Sequence, residues 1–543
     1  MAQRQANRYD AIVVGGGHNG LVAAAYLAKH GARTVVLESR HKTGGAADTM
    51  SPWDDAPDIK VTTLSYVMSL MPPTIQRDLQ LDRFGYKIHP QGMGYLPHPS
   101  GQSIVQHEDE AKTRESIARF SKRDADAYFE FEAWIGRIAN IMGPLLMQTP
   151  PNLGSKKPAD IKDIAQLGWQ LRKEVDPSTV ADITRLFTMS ASDLLDRWFE
   201  SPVVRGFMAV NGIIGTWAGP DAPGTAYVLM HHSVGDIGDG QIASWGYPEG
   251  GMGAVSAACE SSARFFGAEI RTNARVDRIL TANGRARGVT LADGEELLAA
   301  TIVTAIHPKI TFLEQLDRTE LPDGFVSDME HWKTRSGTVK INLALSELPE
   351  FTADPGFDPQ IHGGAIQILD DVDYLERAFQ EARFGEAATL PFSDTAIPTV
   401  FDKTLAPEGT HVMSMFTQWV PQEWADEDGH DVELEAYADR LIERVNDVAP
   451  NFKGAITHRQ IIGPKQMQDE WGLIGGNIFH GELTVDQLFH MRPAPGYADY
   501  RTPISGLYQA SSATHAGGGV TGMPGHHCVR EILKDRALKK RKR

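Results

Sequence analysis

The run Tyr9-Asp10-Ala11-Ile12-Val13-Val14-Gly15-Gly16-Gly17-His18-Asn19-Gly20-Leu21-Val22-Ala23-Ala24-Ala25-Tyr26-Leu27-Ala28-Lys29-His30-Gly31 decides the fold of this chain. Its apolar start, bounded by polar residues, reads as a buried parallel strand. Gly15, Gly17 and Gly20 follow at G-x-G-x-x-G spacing, and a run of helix formers then closes on a glycine suited to end it. A second strand, Thr34-Val35-Val36-Leu37, ends in Glu38, 18 residues after Gly20. In such a unit the first glycine makes a tight turn, the second lets backbone approach a pyrophosphate, and the third lets helix pack on strand. The helix N-terminus faces the phosphates, and the acid accepts hydrogen bonds from a ribose. A lone glycine pattern is weak. Strand, glycines, helix, strand and acid in that order predict a dinucleotide site.

The continuation narrows the dinucleotide. Glu38 leads through Ser39-Arg40-His41-Lys42-Thr43 to the pair Gly44-Gly45. This resembles the extended motif of FAD enzymes of the glutathione-reductase type, which makes FAD the expected cofactor. The expected contacts are Gly15, Gly17, His18, Asn19 and Gly20 in the turn, then Glu38, Ser39, Arg40, Gly44, Gly45 and Ala46 beyond it. A second match, Gly517-Gly518-Gly519-Val520-Thr521-Gly522, leaves only 21 residues after it, too few for another βαβ unit. No separate NAD(P)H domain is expected, so any second electron carrier must come from elsewhere.

Outward from the motif, residues 110–205 read as largely helical, broken by Pro150-Pro151 and Lys156-Lys157-Pro158. Residues 208–233 turn rich in Gly, Pro, Ala and aromatics, as for the buried wall of a pocket. A small-residue helix is expected from Ala254 to Phe266, then strands at 269–272 and 274–280, the latter carrying Val276 toward the cofactor. Asn283-Gly284 and Asp293-Gly294 read as hairpin turns, and Thr301–Ile306 as one more buried strand. Strands such as Thr338–Leu345 mix with helices such as Val432–Val445 up to about Phe489. Gly506–Ala510 returns as a strand before a helix near Gly522. The expected architecture is α/β. A Rossmann-like FAD-binding domain comes from residues 8–90, 245–307 and 490–535. A mixed α+β substrate domain with a helical insertion comes from 91–244 and 308–489, and a basic tail from 536–543.

Composition removes other functions. Acidic residues outnumber basic ones by 70 to 53 among 543, which disfavours nucleic-acid binding through phosphates. The last ten residues carry +6, so the remainder carries −23. That tail is expected to be a solvated helix end, with contact to an anionic membrane surface as the alternative. Cys259 and Cys528 form no CxxC, so dithiol redox chemistry and a zinc knuckle drop out. No apolar run approaches the length of a membrane span, and no signal peptide is read. The expectation is a soluble, cytoplasmic, thiol-poor protein, peripheral to a membrane at most, with oligomerisation left open.

Val14–Leu21 (VGGGHNGL), Trp245–Ala254 (WGYPEGGMGA), Gly475–Tyr500 (GGNIFHGELTVDQLFHMRPAPGYADY) and Gly506–Gly525 (GLYQASSATHAGGGVTGMPG) carry a resemblance across nearly the whole length. The chain resembles phytoene-desaturase-type flavoproteins, and within them the branch of pyridine nucleotide-disulfide oxidoreductase domain-containing protein 2. The resemblance implies bound FAD, a discontinuous Rossmann-like domain and a substrate domain covering the flavin ring. Ala516 stands where the family is expected to carry proline, and Ser511-Ser512 where a glycine-containing pair is usual.

For the chemistry, Gly518, Gly519, Val520 and Thr521 are expected beside the flavin, with the positive end of the following helix aimed at it. Lys340 lies in a stretch resembling the segment of flavin amine oxidases whose lysine holds a water near flavin N5; a solvated edge-strand lysine is the competing reading. His515 is placed to transfer a proton at flavin or substrate, or else to hydrogen-bond its own loop. Glu249 is read as a solvent-facing turn residue. His231-His232 and His526-His527 lack metal-ligand spacing, and no metal is expected. The leading expectation is an FAD-dependent oxidoreductase taking hydride from a C–H bond of an apolar substrate, with oxygen or a quinone as acceptor. Two alternatives stay open: a flavin-dependent isomerase without net redox, and a non-catalytic FAD-stabilised interaction protein.

Overall fold

A computed structural model of the chain describes residues 7–153, 155–156, 158–172, 175–237 and 244–541. The opening motif folds as read: strand Arg8–Val14, helix His18–Lys29 and strand Thr34–Leu37. These two strands pair in parallel, Val14 opposite Leu37. The sheet they start runs in the order Val276–Thr281, Ala286–Leu291, Glu296–Thr304, Arg8–Val14, Thr34–Leu37, Glu269–Arg271. Leu507–Gln509 adds in parallel to the far end of Glu296–Thr304, with Ile302 opposite Leu507. Asn283-Gly284 and Asp293-Gly294 turn the antiparallel arms, as expected.

The separate strand read at 301–306 is instead the second half of Glu296–Thr304. That strand alternates exposed and buried residues through its hairpin half, then becomes continuously buried from Thr301. The change marks where one-sided packing gives way to helices on both faces. Helix His18–Lys29 packs between helix Met252–Phe265 and helix Met523–Arg541 on one face. Its contact with the latter is close: a Cβ at Gly525 would stand 2.2 Å from the Asn19 carbonyl oxygen.

A second seven-stranded sheet runs Ile456–Ile462, Thr338–Leu345, His411–Gln418, Phe392–Ala396, Ala365–Ile368, Gly94–Pro97, Ser103–Val105. All of its pairings are antiparallel except Ala365–Ile368 with Gly94–Pro97. Lys340 therefore sits in a strand paired on both sides, and the edge-strand reading is corrected. Helices between Glu110 and His232 cover this sheet and share its core. Several start on a side-chain cap, such as Ser121 accepting from the Asp124 N–H at 3.1 Å. Residues 208–233, read as the buried wall of a pocket, include the buried helix Thr225–His232, and Met208, Asn211, Ile214, His232 and Ser233 line a cavity. Among the described residues no helix is long and apolar enough to cross a membrane. The side chains of the basic tail beyond Arg536 lie outside the described residues.

Candidate active site

One continuous cavity of about 1330 Å³ opens between the two sheets. Small-ligand sites usually occupy roughly 300–1,000 Å³, so this one has room for a dinucleotide and a second molecule. At its first end Gly15 takes φ +97°, and its N–H donates to the Leu37 carbonyl at 2.9 Å. Glu38 holds the turn from the other side: one oxygen accepts from the Gly16 N–H (2.7 Å), the other from the Arg40 N–H (2.8 Å). The helix starting at His18 has no side-chain cap and no acid in its first turn. Its N-terminal N–H groups and dipole are thus left for an anion.

Gly15, Gly17, His18, Asn19, Glu38, Ser39, Arg40, Gly45, Ala46, Val276, Gly519 and Val520 all line the cavity. Gly20, Gly44, Gly518 and Thr521 stand behind the wall. Gly20 packs on the Gly15 carbonyl, and the Gly44 N–H donates to Gly16 (2.9 Å). Gly518 packs on Phe479, while the Thr521 hydroxyl accepts from the Met523 N–H at 3.1 Å just before the last helix.

Eight buried polar atoms on residues of this wall have no hydrogen-bond partner among the described residues: His18 Nε2, Asn19 Oδ1, Arg40 Nη1, His307 Nε2, Gln315 Oε1, Gln367 Oε1, Trp471 Nε1 and His480 Nδ1. Buried polar groups are nearly always paired, so these eight mark where a polar ligand belongs. The donor set fits a dinucleotide. At His307 the tautomer follows from geometry. The Lys309 N–H donates to Nδ1 at 3.2 Å, so the ring proton sits on Nε2. The nearby His480 carbonyl accepts from the Trp332 indole at 2.8 Å. Burial pushes His18 and His480 down to about 4 and His307 well below its ordinary value, so all three rings are neutral at pH 7.

The far end of the cavity rests on the second sheet. Register places Lys340 opposite Phe416, Phe416 opposite Asp394 and Asp394 opposite Gln367, one row across four strands. All four residues line the cavity. The Lys340 ammonium is buried, donates to Asn342 Oδ1 at 2.8 Å and to the Ser414 hydroxyl, and lies 5.5 Å from the centre of the Tyr66 ring. Tyr66 stacks on Phe416 and donates its hydroxyl proton to Asp394. Burial pushes Lys340 down to about 7, with the Asp394 charge working against it. Burial likewise lifts Asp394 to about 6, while the Tyr66 hydrogen bond lowers it. An ammonium and a carboxyl thus both titrate near neutrality on one wall. Phe207, Met208, Ile214 and Trp245 give the same region its apolar sides.

His515 is not on this wall. Its Nε2 meets the Leu145 carbonyl at 3.2 Å, its own carbonyl accepts from the Tyr500 hydroxyl at 2.8 Å, and burial holds it at about 4. The imidazole is held neither at the cavity nor by its own loop but by the end of the helix Lys122–Leu146. Glu249 lies off the cavity and pairs with Lys87 and His89, as its turn reading implied. His526 and His527 bond each other, and among the described residues no group of three metal-ligating side chains forms. Sequence reasoning missed Tyr66, Asp394, Gln367, His307 and His480. Only His307 carried a usable signal, its place just past the end of a strand beside the glycine turn, where open α/β sheets bind ligands.

Residues 228–525 match the family described as flavin-containing amine oxidoreductase, and residues 13–80 an NAD(P)-binding Rossmann-like domain. The chain is 36% identical to pyridine nucleotide-disulfide oxidoreductase domain-containing protein 2 of Rattus norvegicus, over 97% of this chain and 94% of that one. It is 25% identical to one of the subunits of limonene dehydrogenase from Castellaniella defragrans, over 97% and 95%. Its fold is similar to that of cyclohexylamine oxidase from Brevibacterium oxydans, with a TM-score of 0.55 and 16% identity over 98% of this chain and all of that one.

Proposed function

Because this chain belongs to the flavin-containing amine oxidoreductase family, we propose that it takes a hydride from a C–H bond of a largely apolar substrate, the electrons leaving to oxygen or a quinone. FAD, when bound, supplies the two-electron acceptor. The observation that supports the reading is the continuity of the cavity, which joins the glycine turn and Glu38 to the row Lys340–Phe416–Asp394–Gln367 without a partition. The helix at His18 and the turn before it would hold the pyrophosphate, and Glu38 the adenosine ribose. Tyr66, Phe416, Phe207, Met208 and Ile214 would exclude water and hold a substrate by apolar contact. The name of the Castellaniella relative points to a hydrocarbon and that of the solved Brevibacterium protein to an amine; these walls admit either.

Anaerobic titration with apolar alkenes, amines and alcohols tests the proposal. A true substrate bleaches the oxidised flavin absorbance stoichiometrically. A product of unchanged mass formed without any acceptor would establish isomerisation instead. A panel that never changes the flavin's redox state counts against dehydrogenation.

Lys340 carries a sharper prediction. Its ammonium is present below about pH 7 and is lost as pH rises through that value, because burial favours the neutral amine. Reoxidation by oxygen, if this charge assists it, slows across the same window. Lys340→Met is expected to slow reoxidation roughly 100-fold and to flatten its pH profile. Stopped-flow reoxidation across pH 5.5–8.5, a window of about 1.5 units on each side of that value, checks this. A methionine variant with a wild-type profile would remove Lys340 from the working site.

A further inference from the structure

Arg492 stands one backbone layer behind the cavity wall. Its side chain is fully buried, at 0% exposure. Nη2 donates to the carbonyls of Phe479 (2.9 Å), Ser512 (2.9 Å) and Gly481 (3.4 Å). Nη1 donates to those of Gln487 (3.1 Å) and Glu482 (3.3 Å), and Nε to Ser512 (3.3 Å). The Trp332 ring centre lies 5.2 Å away. Phe479, His480 and Ser512 are themselves cavity residues, and a Cβ on Gly517 would come within 3.8 Å of Arg492 Nε.

The hydrogen bonding of this guanidinium is therefore satisfied, but its charge is not. Every acceptor is a neutral carbonyl, and no carboxylate among the described residues pairs with it. The buried Glu482 carboxylate is spent on Arg335, at 2.7 and 2.9 Å. Burial pushes Arg492 down only to about 9, so it remains a cation at pH 7. A buried cation without a counter-charge is costly, and such an arrangement is expected where an anion completes it. Its field reaches the wall, since it lowers the proton affinity of both His307 and His480 beyond the effect of burial. Those rings are neutral and cannot supply positive charge themselves.

We propose that Arg492 is a positioning residue whose fixed charge, acting through the loops at 479–482 and 511–519, offsets the negative charge of bound FAD and of the flavin when it gains electrons. It thereby strengthens cofactor binding and raises the flavin's midpoint potential. The inference rests on the cofactor and not on the substrate reading, so failure of every candidate substrate leaves it standing.

The test measures the dissociation constant of FAD from the apoprotein and the midpoint potential of bound flavin in three full-length proteins: wild type, Arg492→Lys and Arg492→Met. The methionine variant is expected to bind FAD at least about tenfold more weakly and to show a more negative potential. Lysine keeps a charge without the planar fork, but burial weakens its hold on the proton as it does at Lys340. Potentials are therefore compared at about pH 6, where the lysine variant is expected to stay near wild type while its FAD affinity falls. Equal potentials in the lysine and methionine variants at that pH would reduce Arg492 to a loop clamp and overturn the proposal. So would a methionine variant with wild-type affinity and potential. Should the methionine variant fail to fold, Arg492→Gln supplies donors without charge in its place. If only the lysine variant folds, its potential decides: unchanged supports the proposal, and a fall overturns it.

Discussion

Replacing Gly20 with alanine is expected to leave a folded protein that purifies without FAD. An ideal Cβ at this position would stand 2.1 Å from the Gly15 carbonyl oxygen and 3.2 Å from its carbon. Neither atom has freedom to retreat. The Gly15 N–H is tied to Leu37, and Ile306 lies against the same residue on its far side. The helix must then lift from the sheet, which withdraws the N-terminal N–H groups that would hold the pyrophosphate. We set the loss of FAD affinity at no less than about 100-fold, roughly 2.8 kcal/mol. Gly17→Ala is the instructive comparison. A Cβ there meets only the Gly45 Cα, at 4.0 Å, so the protein has room for it and the incoming cofactor does not. Flavin absorbance relative to protein absorbance, with fluorescence titration of the apoproteins, reads both variants. Full FAD content in Gly20→Ala would show that the turn does not position the cofactor.

The second large effect is on stability. Trp419 is buried to 0% exposure and packs edge-on or tilted against Phe379 and Phe392, with ring centres at 5.5 and 5.2 Å. Its indole N–H donates to the Thr216 carbonyl at 2.9 Å. That carbonyl also accepts from Gln418 at 3.0 Å, so Trp419→Ala leaves no orphaned acceptor. The cost is then the lost burial and the void, about 3–5 kcal/mol. Trp419 does not line the cavity, so FAD affinity of the folded fraction is expected to be unchanged. Urea unfolding followed by circular dichroism measures the first quantity and FAD titration in buffer the second. A variant that unfolds like wild type would mean the core collapses to fill the gap.

The parts of the fold legible in sequence are those whose information is local. Strand, glycine turn, helix, strand and acid lie together between Arg8 and Glu38, and each constrains the next. The Asn283-Gly284 hairpin is set by its own two residues. Strand Thr338–Leu345 was equally plain, yet the environment of Lys340 was not. Its flanking strands begin at His411 and Ile456, so neither its burial nor its pairing with Asn342 and Ser414 leaves a local mark. Asp394 and Tyr66 show the same difficulty, being 328 residues apart and joined only by the hydroxyl–carboxylate contact. His515 illustrates the converse: a reactive residue in a suggestive glycine-rich context, turned aside by a carbonyl from the end of a helix 370 residues earlier. Arg492 carried no signal at all, because an arginine in a loop reads as exposed until the carbonyls of Phe479, Gly481, Glu482, Gln487 and Ser512 close around it.

The order in which the first sheet is assembled bears on how the protein is made. Arg8–Val14 and His18–Lys29 leave the ribosome first, yet Leu507–Gln509 and the helix at Met523 are needed to complete the face on which that helix lies. At about 5–20 residues per second, the interval between the two is roughly 25–100 s of translation. During it the helix, buried at eleven of its twelve positions in the finished molecule, has no permanent cover for one side. The nascent chain thus carries this helix without its final cover for most of its synthesis, and the face flanking the glycine turn is complete only once the last strand and helix have emerged. A truncation that removes the final strand and helix would leave every residue of the opening glycine motif in place and still yield a protein unable to retain the cofactor.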